Sequence, residues 1–108
     1  MGELKKRRLG RTNLMVTELG LGSYHITGEK GVPRDEAHRI FDLAFQEGIN
    51  FVDSAPMYGF GEAEELVGRA LKRTDRNDIL VSTKVGWLDR TVVRHLGDDA
   101  YRDEASIR

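Results

Sequence analysis

The 108-residue chain is 39% hydrophobic and 32% charged, with 17 Lys and Arg against 18 Asp and Glu for a net charge of −1. That composition suits one small globular domain, contains no apolar run near the ~20 residues a membrane-spanning helix needs, and offers nucleic acid no general attraction. The absence of cysteine excludes disulfides, thiolate metal ligands and cysteine nucleophiles, and no apolar stretch follows the basic start "MGELKKRRLG", so the expectation is a cytoplasmic protein.

In chain order, "LKKRRLG" and "LMVTELG" flank "RTN" and predict a hairpin over residues 5–18. The cluster Lys5, Lys6, Arg7, Arg8 is expected to form a solvated strand face rather than a phosphate-binding arm. In "TELGLGS", Leu19 and Leu21 alternate with Gly20 and Gly22, a strand with one apolar face and one bare face. Bare positions in a strand mark a close approach to the backbone. "RDEAHRIFDLAFQEG" then places Ala37, Ile40, Phe41, Ala44 and Phe45 at the spacing of an amphipathic helix stopped by Gly48. The apolar burst Ile49, Phe51, Val52 is a short strand ending in Asp53. In "EAEELVGRALKR", Ala63, Leu66, Val67, Ala70 and Leu71 repeat the helical spacing, with acids in the first turn where the helix dipole favours them. "DILVSTKVG" is a third strand. Residues 87–102 read as a loop or partly helical excursion, and "DEASIR" as the opening turn of a further helix.

The alternation of strand and helix with short connections predicts parallel strands wrapped by crossover helices, an α/β architecture. Side-chain parity then puts Asp53 on the face of Phe51, and Lys84 on the face of Ser82 and Leu80, at the C-terminal ends of neighbouring strands. In parallel α/β folds reactive groups collect at those ends. Tyr58 follows in "PMYGFG", whose glycines permit a turn that brings the phenol back over the strands. A free phenol titrates near 10, and an ammonium within about 4 Å favours its ionised form. Asp53 is expected to hold Lys84, and Lys84 to make Tyr58 a general acid able to protonate an oxygen that becomes negative during reaction. Neither His25 nor His38 joins a group with metal-ligand spacing, so no metal is expected. "GFGEAE" lacks the three-glycine dinucleotide fingerprint.

Three motifs, "LGRTNLMVTELGLGS", "GINFVDSAPMYGFGEAEELVGRAL" and "ILVSTKVG", make the chain resemble the N-terminal part of an aldo-keto reductase over most of residues 7–86. The resemblance implies the N-terminal hairpin and first three β/α units of a (β/α)8 TIM barrel, incomplete here, with residues 1–108 as a partial domain. It implies a reductase of aldehydes, ketones or sugars using NADP, or less often NAD. Tyr58 would be the proton donor, supported by Lys84 and Asp53. Gly22, Ser23, Tyr24 and Asp53 would lie near the cofactor, and Tyr24 and Trp87 would border the substrate. The family's catalytic histidine belongs to a fourth barrel strand that has no counterpart here, and His95, in a polar loop, is not expected to replace it.

A barrel of this class takes ~250 residues. Three strands with two bare edges invite self-association, and uncovering Phe51 and Leu80 forfeits roughly 1.5–3 kcal/mol each. The isolated chain is therefore expected to be inactive and marginal, oligomeric or molten. The alternative is a non-catalytic remnant that serves as a binding or oligomerising module.

Overall fold

The computed structural model describes residues 3–85. The excursion at 87–102, Trp87, His95 and the expected further helix lie outside them.

Strands β1 (Lys6–Arg8) and β2 (Met15–Thr17) pair antiparallel, with Arg7 opposite Val16. The turn between them is closed by Leu9 N–H donating to Leu14 O at 2.8 Å and by the Thr12 hydroxyl donating to Leu9 O at 2.6 Å. All three β1 residues are exposed, and Arg7 pairs with Glu18 at 3.1 Å, as expected of a solvated face.

A separate sheet holds β3 (Leu21–Gly22), β4 (Phe51–Asp53) and β5 (Leu80–Ser82), all parallel, in the order β3-β4-β5. Helix α1 (Arg34–Gln46) crosses from β3 to β4, and α2 (Glu62–Lys72) from β4 to β5. This is the hairpin and β/α opening that the sequence pattern predicts. Gly48 ends α1 in a left-handed conformation (φ 99°), which lets its N–H reach Phe45 O and the Ile49 N–H reach Ala44 O.

Register divides the sheet into two faces. Leu21, Val52 and Val81 are partners across the strands and share a side with Ile79. Both helices pack on that side: Ala37 and Phe41 of α1 and Leu66, Val67 and Ala70 of α2 form the core with Val52 and Ile79. The helical residues are the ones the 3.6-residue spacing selects. The opposite side carries Gly22, Asp53 and Ser82 in one row and Phe51 and Leu80 in the row below.

Asn50 ties the hairpin to the sheet. Its Oδ1 accepts the Thr17 N–H at 2.8 Å, its Nδ2 donates to Met15 O at 2.9 Å, and its own N–H donates to the Thr17 hydroxyl at 3.3 Å.

Candidate active site

The two bare glycines of the first barrel strand play different parts. A Cβ on Gly20 would sit 3.2 Å from the Phe51 ring, so the missing side chain lets that ring lie against the backbone, the close approach the sequence suggests. A Cβ on Gly22 would meet nothing within 4 Å. Gly22 is the register partner of Asp53, so the sheet has an open floor next to that carboxylate.

Asp53 faces the side that parity predicts, and its register partner on β5 is Ser82 rather than Lys84. Lys84 stands two residues on, past the strand end, and its long side chain reaches back. Its ammonium donates to Asp53 Oδ2 at 3.1 Å, to Oδ1 at 3.3 Å and to the Ser54 carbonyl at 2.9 Å. The same ammonium lies 5.0 Å from the centroid of the Tyr58 ring. Asp53, Tyr58 and Lys84 are therefore one cluster at the C-terminal strand ends.

The Lys84 ammonium is held above its ordinary pKa of 10.5. Hydrogen bonding to Tyr58 is the largest cause; partial desolvation opposes it, and the hydrogen bond and charge of Asp53 add to it. The sequence reading made Asp53 the residue that keeps Lys84 charged. Two direct hydrogen bonds tie Asp53 to the ammonium, and the Tyr58 ring lies beside it with its centroid 5.0 Å away, so both neighbours favour the charged form.

Below this rim lies a polar strut. Ser23 is fully buried, and its hydroxyl donates to Asp53 O at 2.9 Å and shares a second hydrogen bond, also 2.9 Å, with the buried Ser54 hydroxyl. Ser23 thereby fixes the backbone that carries Asp53. The sequence reading does not single out Ser54, although as the residue after Asp53 it falls on the opposite face of the strand, where a small polar residue at a strand end is a usable signal. Its carbonyl, an acceptor for Lys84, carries no sequence signal.

Tyr24 is 44% exposed, with its ring 5.0 Å from the Tyr58 ring at 81° and 4.7 Å from the His25 ring at 86°. Lys30 places its ammonium 4.6 Å from the Tyr24 centroid. Two aromatic rings in edge-to-face contact thus each have a cation nearby, and the one beside Tyr58 is the ammonium that holds Asp53. Among the described residues no group of three or more His, Cys, Asp or Glu is arranged to hold a metal ion, and no helix is long and apolar enough to cross a membrane.

A parallel sheet with a Tyr, Lys and Asp cluster at its C-terminal edge defines a class, and comparison with known proteins gives the same one. The aldo/keto reductase family model matches residues 18–106, and the chain belongs to that family. Its relatives include pyridoxal 4-dehydrogenase of Microbacterium luteolum, 44% identical over 78% of this chain and 25% of that protein. The NADH-specific methylglyoxal reductase of Escherichia coli K12 is 32% identical, covering 95% of this chain and 36% of the relative. Among solved structures, an aldo-keto reductase from Bacillus halodurans in its holo form superposes with a TM-score of 0.74 at 39% identity, over 82% of this chain and 28% of the other. The chain thus spans about a quarter to a third of the length of these proteins.

Proposed function

We propose that these residues form the proton-donating part of an NAD(P)H-dependent carbonyl reductase. The observation that carries this reading is the Lys84 ammonium, which grips the Asp53 carboxylate and the Ser54 carbonyl while lying 5.0 Å from the Tyr58 ring centroid. Tyr58 is the proton donor to a carbonyl oxygen that becomes negative. Lys84 stabilises the phenolate left behind, and Asp53 with the Ser54 carbonyl fixes Lys84 in place. The ammonium is held by both Asp53 carboxylate oxygens and by the Ser54 carbonyl, which limits its freedom to swing away.

The residues present fit a nicotinamide cofactor. The floor at Gly22 leaves space for a flat ring against the backbone, next to Asp53 and Tyr24, with Ser23 bracing the strand ends beneath. A bound nicotinamide would supply or accept the hydride. NADP is the proposed coenzyme and NAD the alternative, the latter supported by the relative named for NADH. The substrate class is a small aldehyde, ketone or sugar, with Tyr24 and Trp87 as the proposed pocket residues. The domain is proposed to be the opening part of a barrel, with its hairpin at 5–18, working in the cytoplasm.

The test is a completed barrel in which residues 18–106 replace the corresponding segment of the Bacillus halodurans enzyme. Tyr58→Phe should lower kcat about 10²–10⁴-fold, the usual contribution of a general acid, with coenzyme affinity almost unchanged. A loss under threefold would remove Tyr58 from the role. A second reading, a binding or oligomerising module, draws on the unpaired outer edges of β3 and β5 among the described residues. A completed barrel that oxidises no NADPH with a panel of aldehydes would favour it, whereas turnover would count against it.

A further inference from the structure

We infer that Glu62 is a positioning residue for Tyr58, a reading that rests on the role proposed for Tyr58 above. Tyr58 opens a 3-10 turn (Tyr58–Gly61) whose next three residues all have left-handed backbone: Gly59 at φ 60°, Phe60 at 55° and Gly61 at 102°. Side chains such as Phe rarely adopt that conformation, and a turn built from it keeps its shape only where its surroundings impose it. The geometry identifies what imposes it.

Glu62 acts from both ends. Its backbone N–H donates to Tyr58 O and Gly59 O, closing the turn. Its carboxylate leaves the helix and accepts the Gly28 N–H at 2.9 Å, on the turn that follows Tyr24. Next to this bond the two turns meet without a gap: a Cβ on Gly59 would lie 3.0 Å from the Thr27 methyl and 3.2 Å from Glu62 Cβ. One residue therefore clamps the Tyr58 turn to the segment carrying Tyr24, and the two rings meet edge to face at 5.0 Å as a result.

The other acids of the first turn of α2 are used differently. Glu65 pairs with Arg34 at 2.7 Å and with Arg69 at 3.2 Å, and Glu64 accepts the Thr83 hydroxyl at 2.9 Å. A general preference of helix starts for negative charge accounts for acids at all three positions, yet not for a carboxylate aimed at the backbone of another loop. A carboxylate accepting an N–H makes one of the stronger hydrogen bonds available there.

Three variants of the completed barrel test this by NMR: Glu62→Ala, Glu62→Gln and Glu62→Asp. The readouts are amide exchange at Gly28 and the nuclear Overhauser contact between the Tyr24 and Tyr58 rings. Alanine removes the acceptor, aspartate keeps the charge but is one methylene short, and glutamine keeps the acceptor at full reach. Alanine and aspartate should speed Gly28 exchange about tenfold or more and weaken the ring contact, whereas glutamine should preserve both. Protection and ring contact that survive Glu62→Ala would overturn the inference, as would a Gln variant that loses as much as Ala. In the completed barrel, Glu62→Ala should lower kcat and Glu62→Gln should restore it. If Tyr58→Phe is harmless while Glu62→Ala still uncouples the rings, the role of Tyr58 fails and the clamp stands.

Discussion

The two faces of the barrel sheet are built from alternate residues of the same strands, yet they are organised for opposite ends. On the helix side, Val52 and Ile79 are sealed with Phe41 and Leu66 in an apolar core. On the other side, Asp53 and Lys84 keep 45% and 43% of their side-chain surface in water and hold each other by directed hydrogen bonds. Burial stabilises in proportion to apolar area, while an exposed ion pair contributes little to folding but can fix a geometry. The first face supplies the stability, and the second is free to specialise.

The largest effect expected from this division falls on the helix side. Phe41→Ala should cost about 3–5 kcal/mol, a large part of the 5–15 kcal/mol typical of a whole domain, and should abolish a cooperative urea transition. Asp53→Asn, on the opposite face of the sheet, should leave the urea midpoint almost unchanged. If the two variants are equally damaging, the division is wrong.

Asn50→Ala is next in size. Thr17 is 3% exposed, so its N–H would lose its acceptor in a buried setting, a cost of about 1–3 kcal/mol. Faster exchange of the Thr17 amide would check it.

Thr27→Val sharpens the comparison in the other direction. Thr27 is fully buried, and its hydroxyl is the buried side-chain polar atom without a hydrogen-bond partner among the described residues. Valine keeps the branched shape and removes the orphaned group, so the thermal midpoint should rise, by at most about 1 kcal/mol in stability. A fall would show that the hydroxyl has a partner in solution.

The smallest effects are those of pH. Because Lys84 is raised above 10.5 in the folded chain, its contribution is complete below 10.5 and is lost as pH rises through the folded value. A Lys84 titration followed by NMR should move down on Tyr58→Phe and on Asp53→Asn, since both neighbours favour the ammonium. Glu65 is lowered from 4.5, first by its hydrogen bond with Arg34, so its contribution is present above 4.5 and fades as pH falls through the folded value. Glu65→Gln should therefore flatten the acid limb of the stability profile slightly and leave the alkaline limb alone.

Much of this was legible in the sequence, for identifiable reasons. The five apolar positions of each helix follow a 3.6-residue period that packing rewards, and strand parity is sufficient to bring Asp53 and Lys84 to one face. The offset between them was not legible, since Lys84 lies two residues beyond the register partner of Asp53 and only its long stem closes the distance. Gly20 and Gly22 look equivalent in a string of letters, yet one is filled by Phe51 and the other is open. Glu62 resembles its acidic neighbours until the fold brings Gly28, 34 positions away, within reach of its carboxylate. Backbone acceptors such as the Ser54 carbonyl have no letter at all.

Asn50 imitates a neighbouring strand with a single amide, presenting one acceptor and one donor where a backbone would present the same. It does so at the start of β4, while Asp53 stands at the finish. The hairpin is thus moored at the end remote from the chemistry. Its solvent-facing bend at 10–13 is accordingly the place to attach a fluorophore or an affinity handle that leaves the phenol and its ammonium undisturbed.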